Sequence, residues 1–528
     1  MNFTRIKGKL PKPANVFLTF LSVIFLTLAF PDFELWFLAW AALVPLFYAI
    51  DREKGSFFKS AVLGWIFGTA FFFGSCWWLT FSMITYGGLP SPVAYLLLFI
   101  IVAIVGIFPG LFAGLFSLLL KRFGSYAVFA APFLWTAVEF ARYYLAFNNW
   151  NEIAYSQAFH PFLIQSAQYG GIYLVGFLIL LTNAFFAFVF FPAQKTKPAF
   201  RLIPVAAVLI VIFTVILSSQ NSTASMSSAD KTEKNISANV VAVQANVPMS
   251  GLDYQKWMGL RARHVRLAEE GLKRLKAERP DYQSKPLLII FPESPMNFMY
   301  EEDPEFRAFV RDFASRHNAF VLFNSAEPNR AKGNYFNSAV LVDPRGEKIG
   351  QYDKIHLVPF GEYAPVPDLI ADYVPTLIGS FELGKEYDLF PVGDAQAGIL
   401  ICYESHFPTL SRRFVADGAD VLIEMTNDGY LGPTGVLRQH LASAVFRAVE
   451  TDRPLLRTTN VGITAYIDGR GEISGASQSY SEDIRVWTIS RSDGGRTFYV
   501  RYGDWFAWLS VAVSLGLLGW SFWKRRIE

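Results

Sequence analysis

Cysteine is nearly absent, with only Cys76 and Cys402 in 528 residues. A disulfide-stapled framework is therefore not expected, because one residue lies in an apolar stretch and the other in a polar one. Histidine is scarce too: six rings are scattered without metal-ligand spacing, so neither a metal nor another cofactor is expected. Charged residues make up only 17% of the chain, and their sum of +3 says little beside how they are arranged; no nucleic-acid partner is expected. What is plentiful is apolar: 52% of residues are hydrophobic and 16% aromatic. A chain this long exceeds one domain, and one this apolar is expected to sit in a membrane.

A spanning helix needs about 20 largely apolar residues. Seven such stretches precede residue 220, at about 13–30, 34–50, 57–80, 92–119, 125–145, 167–191 and 202–218, and an eighth lies at about 504–523. The first follows a basic segment but lacks a small-residue cleavage site, so it reads as an uncleaved helix. Arg5, Lys7, Lys9 and Lys12 precede the first stretch, Arg52, Lys54 and Lys59 follow the second, Lys121 and Arg122 the fourth, and Lys195, Lys197 and Arg201 the sixth. The alternate loops around Pro31-Asp32 and Ser82 to Ser91 carry no Lys or Arg. Since cytoplasmic loops retain basic residues, both termini are expected in the cytoplasm and the polar stretch at 219–503 outside it. Trp135, Glu139 and Arg142 share one helix face near its outer end. They read either as a buried pair or a water-lined cavity, or as interfacial snorkelling and belt placement.

The expected organisation is a membrane domain at 1–218, a Ser/Thr/Asn-rich linker at 219–236, a catalytic domain at 237–500, and a last span with a basic tail at 503–528. Within the polar domain, short β-branched runs alternate with helical stretches, the pattern of an α/β fold with helices covering its sheets. Three motifs close such runs or fill the loops between them. Phe291-Pro292-Glu293 places a carboxylate after a buried strand, Tyr352-Asp353-Lys354 opens a loop continuing to Phe360-Gly361-Glu362-Tyr363, and Ile401-Cys402-Tyr403-Glu404 ends an apolar run. Taken singly, Glu293 reads as a solvated turn residue, Lys354 as a surface lysine and Cys402 as a small buried hydrophobe. Taken in order, they suit acyl chemistry: a thiol with pKa near 8.5 needs a base and a positive neighbour to become a nucleophile.

That order of motifs resembles the Glu, Lys and Cys elements of the nitrilase, or carbon–nitrogen hydrolase, superfamily. With Thr426-Asn427-Asp428-Gly429, the segment Arg453 to Thr464 and eight spans added, the chain resembles the apolipoprotein N-acyltransferase family. The resemblance implies a membrane α-helical bundle of eight transmembrane helices plus an extracytoplasmic, nitrilase-like αββα sandwich, in a bacterial inner membrane with the catalytic domain periplasmic. It implies a fatty acyl chain moved from a phospholipid, through a Cys402 thioester, to the N-terminal amine of a diacylglyceryl-cysteine lipoprotein. Glu293 is then the base and Lys354 the oxyanion partner. Glu362, Tyr403 and Glu404 match positions beside the triad, and Trp257 matches a tryptophan near the acyl path. Phe360, Tyr363, Tyr430 and Leu431 are lid candidates from their loop positions, although the family pattern has Trp-Phe where Tyr430-Leu431 stands. The competing expectation is a membrane-tethered amidase or nitrilase that uses the same three residues to hydrolyse a C–N bond.

Overall fold

The computed structural model describes residues 10–146, 150–190, 236–251, 253–293, 298–364 and 380–523. Two compact units, residues 1–222 with 502–528 and residues 223–501, divide the chain.

The first unit is helical. Its helices include α1 (Pro13–Ala29), α2 (Val44–Glu53), α3 (Phe57–Ser75), α4 (Ser91–Val105), α5 (Ile107–Phe123), α6 (Ala131–Ala146) and α7 (Ala167–Phe190), and a C-terminal helix, Trp505–Trp523, joins them. Among the described residues four stretches are long and apolar enough to cross a membrane: α3, the run Ser91–Ala146 that holds three consecutive helices, α7 and Trp505–Trp523. Phe17, Leu96, Ile104 and Leu515 are all more than half exposed on these helices, an apolar surface suited to lipid tails.

Two expected spans are drawn differently. The stretch at 34–50 is not one helix but a 3-10 turn, Trp36–Trp40, followed by the ten-residue α2, which at 1.5 Å per residue reaches about half of a bilayer core. The break persists because side chains from elsewhere satisfy its backbone. Asn183 accepts from the Leu43 N–H at 2.8 Å and donates to the Ala39 carbonyl at 2.9 Å, while Gln157 donates to the Trp36 carbonyl at 3.0 Å. The stretch at 92–119 divides at Gly106, where Pro109 supplies no N–H to continue the ladder. Glycines then let α3 and α5 touch backbone to backbone: a Cβ on Gly64 would stand 2.2 Å from the Pro109 carbonyl oxygen, and one on Gly106 2.4 Å from Thr69 Oγ1. The stretch at 202–218 lies outside the described residues. Of the two readings for Glu139 and Arg142, the buried pair is observed: their side chains meet at 2.5 Å, both nearly inaccessible, and Arg142 also donates to the Trp150 carbonyl at 3.3 Å.

The second unit is a helix, sheet, sheet, helix stack. In chain order it comprises β1 (Ile236–Gln244), α8 (Tyr254–Glu278), β2 (Leu287–Ile290), α9 (Pro304–His317), β3 (Ala319–Asn329), β4 (Asn334–Val342), β5 (Lys348–Asp353), β6 (Phe381–Glu382), β7 (Leu389–Val392), β8 (Ala395–Ile401), α10 (Pro408–Asp417), β9 (Val421–Thr426), α11 (Val436–Thr451), β10 (Leu455–Thr459), β11 (Ala465–Ile467), β12 (Ile473–Ser474) and β13 (Asp483–Ser490). One sheet runs β13-β1-β2-β3-β4-β5 with β6 paired to β4, and the other runs β12-β11-β10-β9-β8-β7. The centres, β1-β2-β3 and β8-β9-β10, are parallel. Helices α8 and α9 cover the first sheet and α10 and α11 the second, and β1 packs against β10 between them. Strands β2, β9 and β10 are buried throughout because both of their faces are covered, and β2 accordingly reads as an unbroken apolar run. Asp303 caps α9 by accepting from the Glu305 and Phe306 N–H groups, and Asn318 ends it in the left-handed region at φ 48°.

His264 on α8 is buried against Phe291, with Nδ1–H donating to the Leu260 carbonyl at 2.7 Å. Burial pulls its pKa down to about 4. Between pH 6.5 and 4 the unfolded chain therefore binds the extra proton, so this contribution to stability is present above pH 6.5 and is lost as pH falls. By pH 5 the loss amounts to roughly 2 kcal/mol. The thermal advantage of the wild type over His264→Met should accordingly shrink between pH 7 and pH 5. Melting curves separated by a constant gap would contradict this.

Candidate active site

The first sheet supplies a carboxylate. Beyond β2 the Phe291 N–H still bonds the Leu322 carbonyl at 2.9 Å, Pro292 stiffens the next step, and Glu293 leaves the strand end. The second sheet supplies the sulfur. Cys402 follows β8 directly and adopts φ +54°, a left-handed conformation that is costly for any residue with a Cβ and that re-aims its side chain as the strand turns into a 3-10 turn, Cys402–His406. Lys354 follows β5, and its N–H is fixed by the Asn337 carbonyl at 2.9 Å.

These three side chains, far apart in the chain, meet. Lys354 Nζ lies 3.7 Å from Glu293 Oε1 and 2.9 Å from Glu362 Oε1, with Lys354 and Glu362 only 1% exposed. The Glu293 carboxylate and the Lys354 ammonium both act electrostatically on the Cys402 thiol. Asn337 bridges the two carboxylates, donating to Glu293 Oε1 at 3.0 Å and Glu362 Oε1 at 2.7 Å. The Asn427 N–H, at the end of β9, donates to Glu293 Oε2 at 3.0 Å and so ties the two sheets together at the site.

Burial raises the Glu293 pKa above the ordinary carboxylate range; Lys354 opposes the shift and Glu362 adds to it. Burial alone would lower the Lys354 ammonium, but the charges of Glu362 and Glu293 outweigh it and keep that group protonated. Burial, and next the Glu293 charge, push the Cys402 thiol well above its ordinary value. The resting arrangement is thus a protonated thiol against a carboxylate base, with a fixed cation alongside.

Comparison with known proteins agrees with this geometry. Residues 22–185 match the apolipoprotein N-acyltransferase N-terminal domain family, and residues 263–499 match the carbon–nitrogen hydrolase family. The apolipoprotein N-acyltransferase of Geobacter metallireducens is 31% identical over 515 residues, covering 96% of this chain and 95% of that one. The enzyme of the same name from Thermotoga maritima is 30% identical over 518 residues, covering 95% and 92%. The chain belongs to the apolipoprotein N-acyltransferase family. It is a membrane acyltransferase, and its second unit has the nitrilase-like carbon–nitrogen hydrolase fold.

In this acyltransferase Glu404 holds two active-site segments in place. One oxygen accepts from the Tyr352 hydroxyl at 2.8 Å and from the Ile355 and His356 N–H groups at 2.7 and 3.1 Å, and the other accepts from the Ile401 N–H at 2.8 Å. The turn carrying Cys402 is thereby fastened to the loop after Lys354. Burial pushes the Glu404 pKa up to about 7, opposed by these donors and by Lys354. Glu404→Gln would set an amide donor against donors, at a cost of about 1–3 kcal/mol. The variant should melt several degrees lower and lose activity with it. An unchanged melting temperature and turnover would show that the clamp is dispensable.

Glu362 bonds Lys354 directly, and its second oxygen accepts from the Val358 N–H at 2.8 Å. Tyr403 instead packs edge-on against Phe407 at 5.2 Å. Trp257 sits on α8, edge-on to Phe298 at 5.7 Å and beside the Arg261 guanidinium. Phe360 is 49% exposed at φ +59°, and its N–H bonds the Tyr363 carbonyl at 2.8 Å. Tyr430 and Leu431 lie half-buried on a short 3-10 turn, Asp428–Leu431.

Sequence reasoning passed over Asn337, since an asparagine inside a strand gives no periodic signal. His440, inside a helix buried along its whole length, gives no such signal either. That ring lies beneath Cys402, with Nδ1 2.8 Å from Asp428 Oδ1 and Nε2 3.1 Å from the Cys402 carbonyl oxygen.

Proposed function

We propose that this acyltransferase works in two halves through a thioester on Cys402. Glu293 takes the thiol proton as the sulfur attacks a phospholipid ester carbonyl, and the Lys354 ammonium faces the oxyanion that develops. As the tetrahedral intermediate collapses, the C–O bond breaks and Glu293 returns the proton to the departing lysophospholipid alkoxide. The N-terminal amine of a diacylglyceryl-cysteine lipoprotein then attacks the thioester. It gives up a proton to Glu293, which passes it to the departing thiolate as the amide forms. The observation that carries this reading is one carboxylate that pairs with a buried ammonium and acts on the Cys402 thiol, and its raised pKa suits a group that must both accept and return a proton near neutrality.

The bilayer setting has an energetic reason. Drawing a sixteen-carbon chain into water would cost on the order of 12 kcal/mol at about 0.8 kcal/mol per CH₂, so the donor has to be met at the lipid surface. The distribution of Lys and Arg supports a bacterial inner-membrane enzyme with eight spans, cytoplasmic termini and a periplasmic catalytic unit. Phe360, apolar, exposed and strained in backbone, is the foremost lid candidate of the loop that carries Glu362.

Incubation with phosphatidylethanolamine labelled in its acyl chain tests this reading. The label is expected on the protein as a hydroxylamine-labile adduct, absent in Cys402→Ala, that passes to the amine of a diacylated lipopeptide. Release only as free fatty acid would make the protein a hydrolase and overturn the proposal.

A further inference from the structure

Beneath Cys402 lies a closed set of charged groups that neither half-reaction uses. Glu424 on β9, Asp428 just after it, Arg457 on β10 and His440 on α11 are each at most 1% exposed. Arg457 pairs with Glu424 at 2.5 Å and with Asp428 at 2.9 Å. His440 Nδ1 faces Asp428 Oδ1 at 2.8 Å, while Nε2 faces the Cys402 carbonyl oxygen at 3.1 Å and Glu424 Oε1 at 3.4 Å. Also nearby are the His406 ring, stacked on His440 at 5.3 Å, and Arg447, paired with Glu450 at 2.8 Å.

Two independent features of the site set the state of this ring. The first is hydrogen bonding. A neutral imidazole has one N–H and one lone pair, so it would point a lone pair at either a carboxylate or a carbonyl oxygen, whereas an imidazolium donates to both. The second is charge. Arg457 alone stands against two buried carboxylates, and the unbalanced negative charge left in this dry site would be costly. A proton on His440 balances it.

We propose that His440 is a permanent imidazolium and the positioning residue of the nucleophile: its Nε2–H holds the carbonyl of the left-handed Cys402, and its charge cancels the buried acid beneath the sulfur. The neighbouring groups are consistent. Burial alone would raise the Asp428 carboxyl, but Arg457 and His440 outweigh it and keep that group below the ordinary range. Burial, followed by the positive His440, drives the stacked His406 well below the ordinary imidazole value. The functional part of the inference rests on Cys402 being the nucleophile; the protonation state of the ring does not.

The full-length enzyme, labelled with ¹⁵N in its histidines and held in detergent at pH 8, tests the ring directly. His160, His264, His317, His356 and His406 are all shifted below the ordinary imidazole value, chiefly by burial, so a single doubly protonated ring is expected, and its signals should be missing from the spectrum of His440→Gln. A spectrum with only neutral rings overturns the proposal without any variant. His440→Gln keeps a polar side chain but removes the charge. It should slow alkylation of Cys402 by iodoacetamide about tenfold at pH 7.5, move that reaction's pH profile up by about one unit, and lower kcat for acyl transfer with little change in KM. Adding Asp428→Asn removes the uncancelled acid and should recover part of the alkylation rate. A double variant that reacts more slowly still would mean a merely structural role and overturn the functional part. Acyl transfer that survives Cys402→Ala would instead remove the thioester reading and leave the ring measurement standing.

Discussion

Cys402→Ser should fold, melt close to the wild type and lose at least a thousandfold in turnover, on the order of what removal of a nucleophile costs in enzymes of this type. The backbone argument predicts the folding: at φ +54° serine meets the same Cβ penalty as cysteine, and the Glu404 and His440 contacts to this turn go to backbone atoms that serine retains. The chemical argument predicts the loss. Glu293 can take a proton from a thiol even when burial has raised its pKa, but a serine hydroxyl is far less acidic, and the alkoxide would form in the same dry site beside a carboxylate. Single-turnover labelling with an acyl-labelled phospholipid separates the outcomes. No adduct, or an oxygen ester that forms slowly and passes nothing to an amine, is expected. Turnover within tenfold of the wild type would mean that sulfur is not the attacking atom.

Lys354→Met should cost about 10²- to 10³-fold in kcat, the typical price of losing one oxyanion donor, equal to about 2.7–4 kcal/mol. The pH profile should change as well. Lys354 lowers the Glu293 pKa, so without it that pKa rises, and the limb of the profile on which activity is lost as pH falls should move to higher pH. Because Lys354 is buried between Glu293 and Glu362, its loss also strands two carboxylates, and breaking such a buried pair typically destabilises by 3–5 kcal/mol. Lys354→Met with Glu362→Gln separates the two effects, since the second change removes one stranded charge. The double variant should regain thermal stability yet remain slow. Recovery of activity along with stability would mean that the ammonium merely holds the loop in place.

The parts of the site that could be read in the sequence were those attached to covered strands. Where a covered strand is written as an apolar run, the chemistry-bearing residue after it stands out, as Glu293 does after Leu287–Ile290 and Cys402 after the run 397–401 at the end of β8. Asn337 and His440 lack that contrast. One lies within a strand and the other within a helix buried along its whole length, and each acts through partners on other elements. The membrane unit shows the complementary failure. Hydropathy registers composition but not a break, and the interruption at Trp36–Leu43 is tolerated because Asn183 and Gln157 bond the exposed backbone from distant segments.

The sequence by itself determined the division into apolar and polar parts, the α/β alternation and the residue types available for acyl transfer, because hydrophobic period and strand-end polarity are local properties of the chain. Only the tertiary structure decided that Glu293, Lys354 and Cys402 share one buried site, that Glu362 and Asn337 complete it, and that a charged cluster lies under the sulfur. Those facts depend on two sheets packing so that strand ends from each converge, and on burial making every nearby charge count.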